Sequence, residues 1–194
     1  MQKIRLFLLI TAGFILSATL TAGEYHVDKN RENLVKFISD APLENFGGET
    51  DQIDGYLFWE GEDLTNKSAV YFEVDLKTLD TGIGLRNRHM RENYLETDQF
   101  PLTSFKGRIT EVRQSPGDTL MIKSDGKIFI HGVEKQLSVD ARLIPDRGGY
   151  RIQSQFFIKL SDFSVEIPSI MFYKIDENMD LRLDFYIKLV KGAE

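Results

Sequence analysis

His26, His89 and His131 are the only imidazoles in this chain, and there is no cysteine to accompany them. Protein metal sites draw on H-x-H or H-x-x-x-H pairs or on clustered thiolates, and neither arrangement is present. Serine hydrolysis on an α/β scaffold would be marked by G-x-S-x-G, which is absent. Gly82-Ile83-Gly84 precedes a helical stretch, yet the third glycine, the Walker lysine and the βαβ setting of a phosphate loop are missing. Asp54 and Glu60 read as solvated strand residues, and Arg86, Arg88 and Arg91 with Glu92 as the salt-bridged face of a helix. His26 falls on an outer strand face and His131 in a turn. His89 has two readings, a hydrogen bond to a ligand head group or a contact between helix and sheet. The conspicuous resource is aromatic: 14 Phe, 7 Tyr and one Trp, mostly at period two. Such residues build a core, or line an apolar tunnel.

The element that must position His89 is the centre of the chain, Leu79 to Gly107. Asp80 and Thr81 are expected to cap a helix by accepting hydrogen bonds from its free amides. From Leu85 to Leu95 nothing breaks the helix, and Leu85, His89, Met90, Tyr94 and Leu95 form a narrow apolar stripe. Pro101 holds Phe100 out of helical geometry and is expected to end the element.

Strands surround this helix on both sides. Tyr25 and Val27 alternate with His26 and Asp28, and Leu34 to Ile38 is apolar except for Lys36, with Pro42 as a break. Ile53, Leu57 and Trp59 share a face with Gly55, opposite Tyr56 and Phe58; aromatics on both faces suggest contact with the helix or a partner subunit. Val70, Phe72, Val74 and Leu76 form the cleanest inward row, followed after the helix by Thr103, Phe105, Gly107 and Ile109. Ser115 to Asp118 is a hairpin turn by composition. Leu120 to His131 reads either as a hairpin at Asp125-Gly126 or as one strand bent at Gly126, and the bent strand is favoured because the halves are short. Leu137 to Leu143, Tyr150 to Leu160 and Leu181 to Leu189 supply three more alternating rows, with an irregular Ser161–Tyr173 segment over a barrel end. The expected fold is all-β: an antiparallel barrel of about eight strands with one crossover helix, its edges hidden by closure. Barrels of that size are either filled or just wide enough for one small ligand.

Residues 1–23 read as a secretory signal, with Lys3 and Arg5 before an apolar run and Thr21-Ala22-Gly23 before the cut. A cut after Ala22 would leave Leu20 at −3, a poorer fit. The run is shorter than the ~20 residues a membrane span prefers, so no stable anchor is expected. Residues 24–194 form a single domain. The net charge is −6, and loss of the leader's two cations makes the remainder more acidic still. That excludes nucleic acid as a natural partner and disfavours simple adsorption to anionic headgroups.

The helix segment, with D-T-G, R-N-R-H, Y-L-E-T and F-P-L-T-S-F-K-G in series, resembles the YceI-like family of lipid-binding proteins. Tyr25-His26-Val27-Asp28, the Phe46–Leu57 strand, G-K-I-F-I-H-G-V-E-K-Q-L and K-L-S-D-F-S extend the likeness over nearly the whole chain. Asn30-Arg31-Glu32 stands where the family often has a second histidine, and Ser164 where glycine is usual. The resemblance implies a lipocalin-like barrel, periplasmic or secreted and often a homodimer, holding a polyisoprenoid, isoprenoid quinone or fatty-acid derivative, with no other cofactor. Carried onto the inward rows, it implies a lining drawn from Phe72, Leu85, Met90, Phe105, Phe129, Phe156, Ile158, Phe163 and Phe185, with His89 near the head group. The expected function is lipid binding for transport or storage, without catalysis. Two alternatives are an enzyme on the same barrel with His89 or His26 as base, and a filled barrel acting as an interaction module through Tyr56 and Phe58.

Overall fold

Period-two alternation accounts for most of the architecture. The computed structural model describes residues 22–39, 46–167, 169–170, 173–174 and 176–192. Most of the expected leader and Pro42 lie outside the described residues.

Strands β1 (Gly23–Val27), β4 (Ile53–Trp59), β5 (Ala69–Asp75), β6 (Leu102–Gln114), β7 (Leu120–Ile130), β8 (Val133–Asp146), β9 (Gly149–Lys159) and β12 (Asn178–Gly192) pair in that order, all antiparallel. Pairing of β1 with β12 closes the circuit into an eight-stranded barrel. The first two staves are split. β12 holds β1 along Ile187–Gly192 and β2 (Leu34–Ser39) along Asp180–Asp184. In the same way β3 (Phe46–Thr50) precedes β4, pairs with β2, and reaches Asp80 through a bridge at Glu49. Two short strands, β10 (Ser169–Ile170) and β11 (Tyr173–Lys174), pair only with each other.

The inward rows fall where alternation puts them. Val70, Val74, Ile109, Leu143, Ile152, Phe185 and Ile187 are buried, while their sequence neighbours face out. Between Leu120 and Ile130 the chain is one strand, with Gly126 directly opposite Gly107. A Cβ on Gly126 would sit 2.4 Å from the Lys106 carbonyl, so two glycines are what let β6 and β7 bend together here. His131 (φ 49°) and Gly132 (φ 79°) then form a two-residue hairpin loop with both residues left-handed, the geometry that matches strand twist.

One end of the barrel is solid. Tyr25 and Trp59 stack with ring centres 4.8 Å apart, and Tyr150 meets both edge-on at 5.2 and 6.0 Å. Leu57, Ile109 and Leu143, each almost wholly buried, complete this plug. One outward aromatic of β4 does not meet the helix. Tyr56 packs on His26 and Tyr71 of neighbouring strands, on the outer barrel wall rather than against the helix.

The crossover helix also differs from expectation. Helix α1 spans only Gly84–His89, and Met90–Tyr94 continues it as a π turn, with the Leu95 amide donating to the Met90 carbonyl. It stops at Glu96, a left-handed residue (φ 45°) in the position after the cap, five residues before Pro101. Asp80 and Thr81 do not cap α1, whose N-cap is Ile83. Instead Asn87 ties their loop to the helix. Its amide donates to Asp80 Oδ1 at 2.7 Å, and its carbonyl accepts from the Thr81 amide and hydroxyl at 2.8 and 2.6 Å. Arg86 adds a bond from Nε to the Thr81 hydroxyl at 2.9 Å.

Candidate functional site

Strand ends and helix meet at the end opposite the aromatic plug, and there the barrel is hollow. The cavity has a volume of about 400 Å³. Its wall is made by Val35, Lys36 and Phe37 of β2, Val74 of β5, Thr103 of β6, Ile130 of β7, Ile158 of β9, and Met179 and Leu181 of β12, with Leu76 and Leu160 just past strand ends. Val74, Thr103, Ile130, Ile158, Met179 and Leu181 are inward positions of their staves at one end, as alternation requires, while Lys36 lies between the inward Val35 and Phe37 and pairs with Arg182 and Glu49. The roof comes from the crossover: Leu79, Ile83, Leu85, Arg86, His89, Met90, Tyr94 and Leu95, with Val165 from the loop after β9.

All five residues of the apolar stripe, Leu85, His89, Met90, Tyr94 and Leu95, face the cavity. The π turn makes this possible. Its hydrogen bond joins residues five apart, so Met90 and Leu95 lie over one another where a plain α-helix would rotate them apart. Met90 is buried with Leu76 and Leu79 and fixes the roof to the wall. Ile83 and Leu85, by contrast, are more than half exposed at the rim.

Of the other residues expected in the lining, Ile158 is in the wall. Phe72 and Phe185 pack edge to face below the cavity, with Phe105 beside them. Phe156 and Phe163 do not line the cavity but pack in a second apolar cluster with wall residues such as Ile130, Ile158 and Met179, Phe163 almost fully buried. Phe129 lies on the opposite face of β7 from Ile128 and Ile130, so its inward assignment is corrected. The uninterrupted strand fixes its parity with Lys127. The β2 contribution was missed. Its signal was Lys36, the one charge in the five-residue Leu34–Ile38 run, but so short a segment does not reveal which side it turns inward.

Among the described residues, the charged members of the lining are Lys36 and Arg86. Lys36 Nζ lies 3.6 Å from a Glu49 carboxylate oxygen. The Asn87 amide and the Gly82 N–H hold the Asp80 carboxyl below the usual range. His89 is exposed and, among the described residues, has no hydrogen-bond partner. His26 bonds Glu24 on the outer wall at 2.5 Å. His131 is the one well-shielded histidine: Nε2 meets Glu96 Oε2 at 2.7 Å, Nδ1 meets the Phe163 carbonyl at 3.2 Å, and Phe100 packs on the ring at 4.7 Å. It joins the helix exit, the β7–β8 hairpin and the loop after β9, outside the cavity lining. Among the described residues no three or more His, Asp or Glu side chains converge to hold a metal ion. None of the described helices is long and apolar enough to cross a membrane.

A family model described as YceI-like domain matches residues 25–187. No curated protein matches the chain in sequence. Among solved structures, Burkholderia cenocepacia BcnA is similar with a TM-score of 0.68 at 13% identity, covering 83% of this chain and 98% of its own. A polyisoprenoid binding domain from Saccharophagus degradans, implicated in plant cell wall breakdown, gives 0.67 at 15% identity, covering 87% and 99%. The Campylobacter jejuni YCEI protein gives 0.58 at 12%, covering 98% and 100%. At these identities the likeness speaks for the fold.

Proposed function

The chain belongs to the YceI-like domain family, and on that premise we propose that it is an exported, non-enzymatic protein that carries or stores one long-chain apolar molecule in the open half of its barrel. The observation that carries this reading is the cavity of about 400 Å³, walled almost entirely by aliphatic and aromatic side chains. Each methylene buried there contributes ~0.8 kcal/mol. The volume lies near the small end of the ~300–1,000 Å³ typical of ligand sites, so an acyl chain or a short prenyl chain fits and a long polyprenyl would trail out of the mouth. A polyisoprenoid is the cargo named for the Saccharophagus degradans domain. Export rests on the leader pattern of residues 1–23.

The enzymatic alternative needs a buried, paired histidine in the cavity. His89 is exposed there with no hydrogen-bond partner among the described residues, and His131 is paired but outside it. Binding is therefore the better reading.

The test is a fluorescence titration of the delipidated protein with cis-parinaric acid, beside a Leu181→Trp variant. Leu181 lines the cavity on β12, and an indole there occupies the hollow without touching the aromatic plug. Saturable one-to-one binding by the native protein, lost in the variant while the melting transition is kept, is the expected result. Absence of saturable binding by the native protein overturns the proposal.

A further inference from the structure

Resting on the lipid-binding reading above, we infer that the barrel has a side window between β8 and β9, and that the part of a long apolar chain which the cavity does not hold lies there. The two strands pair only from Ala141 opposite Ser154 to Asp146 opposite Gly149. Beyond that point, among the described residues, 133–140 has no strand partner on the β9 side and 155–159 none on the β8 side. Each strand is held to its end on its other side, Val133 by Ile130 of β7 and Lys159 by Asn178 of β12. The two halves therefore diverge as parts of an intact wall. Where the ladder stops, the Ser154 hydroxyl donates to the Asp140 carbonyl at 2.7 Å.

A strap closes the other end. The helical turn Leu160–Phe163 after β9 crosses to the start of β8, where the Phe163 carbonyl meets His131 Nδ1 at 3.2 Å and the Asp162 carboxylate accepts from Lys135 Nζ at 2.8 Å. Ladder and strap thus frame an opening whose two sides are unpaired strand edges. Its inward row is apolar: Val133, Leu137 and Val139 on β8, Phe156 and Ile158 on β9. Lys135, at an inward position of the same row, leaves it for the strap.

Past the ladder these inward positions lose their cover. Leu143 and Ile152, on the paired halves, are buried, whereas Leu137, Val139 and Phe156 are only half-buried although none of them lines the cavity. Their exposed surface therefore opens to the side of the barrel. Val133, Leu137 and Phe156 pack on a cluster that includes Ile130, Phe163 and Met179, and Ile130 and Met179 are also cavity wall. Cavity and window are thus separated by apolar side chains, with no β8–β9 ladder to break between them. An apolar chain inserted there exchanges one apolar contact for another and strips no backbone hydrogen bond, which is the costly step elsewhere in the wall. The continuity of the window with the cavity through Ile130 and Met179 is what makes the occupant the same molecule.

The experiment uses the full delipidated chain and two prenyl alcohols, the short farnesol and the long solanesol. The chain has no cysteine, so Val139→Cys places a single thiol in the window. Saturating solanesol should slow its reaction with iodoacetamide severalfold, and farnesol should not. Phe157→Cys, on the outer face of β9 where the native ring is 64% exposed, should react alike in both. Leu137→Trp fills the window and should weaken solanesol about tenfold, the effect of losing roughly two buried methylenes, without moving farnesol. The thiol measurement decides if the tryptophan variant fails to fold. Equal protection of the thiol by the two alcohols, or protection by neither, overturns the inference and leaves the lipid-binding reading in place. Binding of neither alcohol also overturns it, and if cis-parinaric acid is not held either, the lipid-binding reading falls with it.

Discussion

Phe72 of β5 and Phe185 of β12 meet edge to face inside the barrel with ring centres 4.9 Å apart. Two residues further along β5, Val74 already faces the cavity. This ring pair is therefore the floor between the solid half and the hollow half, and it sets how deep a tail can go.

Shortening the floor should lengthen the ligand. Phe72→Leu or Phe185→Leu removes part of the barrier, and Phe185→Ala removes more at a stability cost of about 3–5 kcal/mol, because that ring is almost wholly buried. Competition among fatty acids of increasing length should show the optimum moving to longer chains in both leucine variants. An unchanged optimum would mean that the tail stops short of this pair.

The His131 junction should be worth more to the roof than to the barrel. Its ring nitrogens meet Glu96 and the Phe163 carbonyl, and three segments converge on it. His131→Ala is expected to cost about 1–3 kcal/mol in urea denaturation, the range for leaving such groups without a partner. Amide hydrogen exchange should rise first in residues 90–100. His131→Asn, a residue type that tolerates the left-handed backbone found there, should cost less. Equal losses in both variants would argue that the left-handed backbone at this position contributes nothing to the difference, and no loss in either would argue that the side-chain bonds contribute nothing.

Acid should destabilise the outer wall through β12. Burial pushes the Asp184 carboxyl up, but the Arg151 guanidinium and the Gln153 amide bonded to it bring it down further, so it ionises below the usual range. Asp180, hydrogen-bonded by Arg182 and opposed by its own burial, is lowered as well. Both folded values lie below the unfolded one. The stability they contribute is present above the normal carboxylate range and is lost as pH falls through the depressed values. Urea midpoints should therefore drop below about pH 4. Asp184→Asn should cost about 1 kcal/mol at neutral pH, given the exposure of both partners, and should flatten the acid slope. A variant with the parental slope would contradict the assignment.

The sequence showed the barrel well and the hollow poorly. Rows such as Val70–Phe72–Val74 and Tyr150 to Leu160 were legible because a strand's period of two is a local property, and so was the stripe from Leu85 to Leu95. The split staves were not. β1 and β2 share one edge of β12, a fact of register that neither segment carries alone. The helix cap was misread because Asn87 reaches back for Asp80 and Thr81, a competition between side chain and backbone that composition does not reveal. Inward parity also cannot tell wall from floor. Phe72 and Val74 point the same way, and only the length of the rings opposite them decides which level is filled.

Native mass spectrometry of the protein purified without detergent from its native source tests the central claim most directly. The account predicts one copy of a long-chain apolar molecule per chain, released on solvent extraction and missing from Leu181→Trp. A bare polypeptide mass in both, together with no uptake of added palmitate, would contradict it.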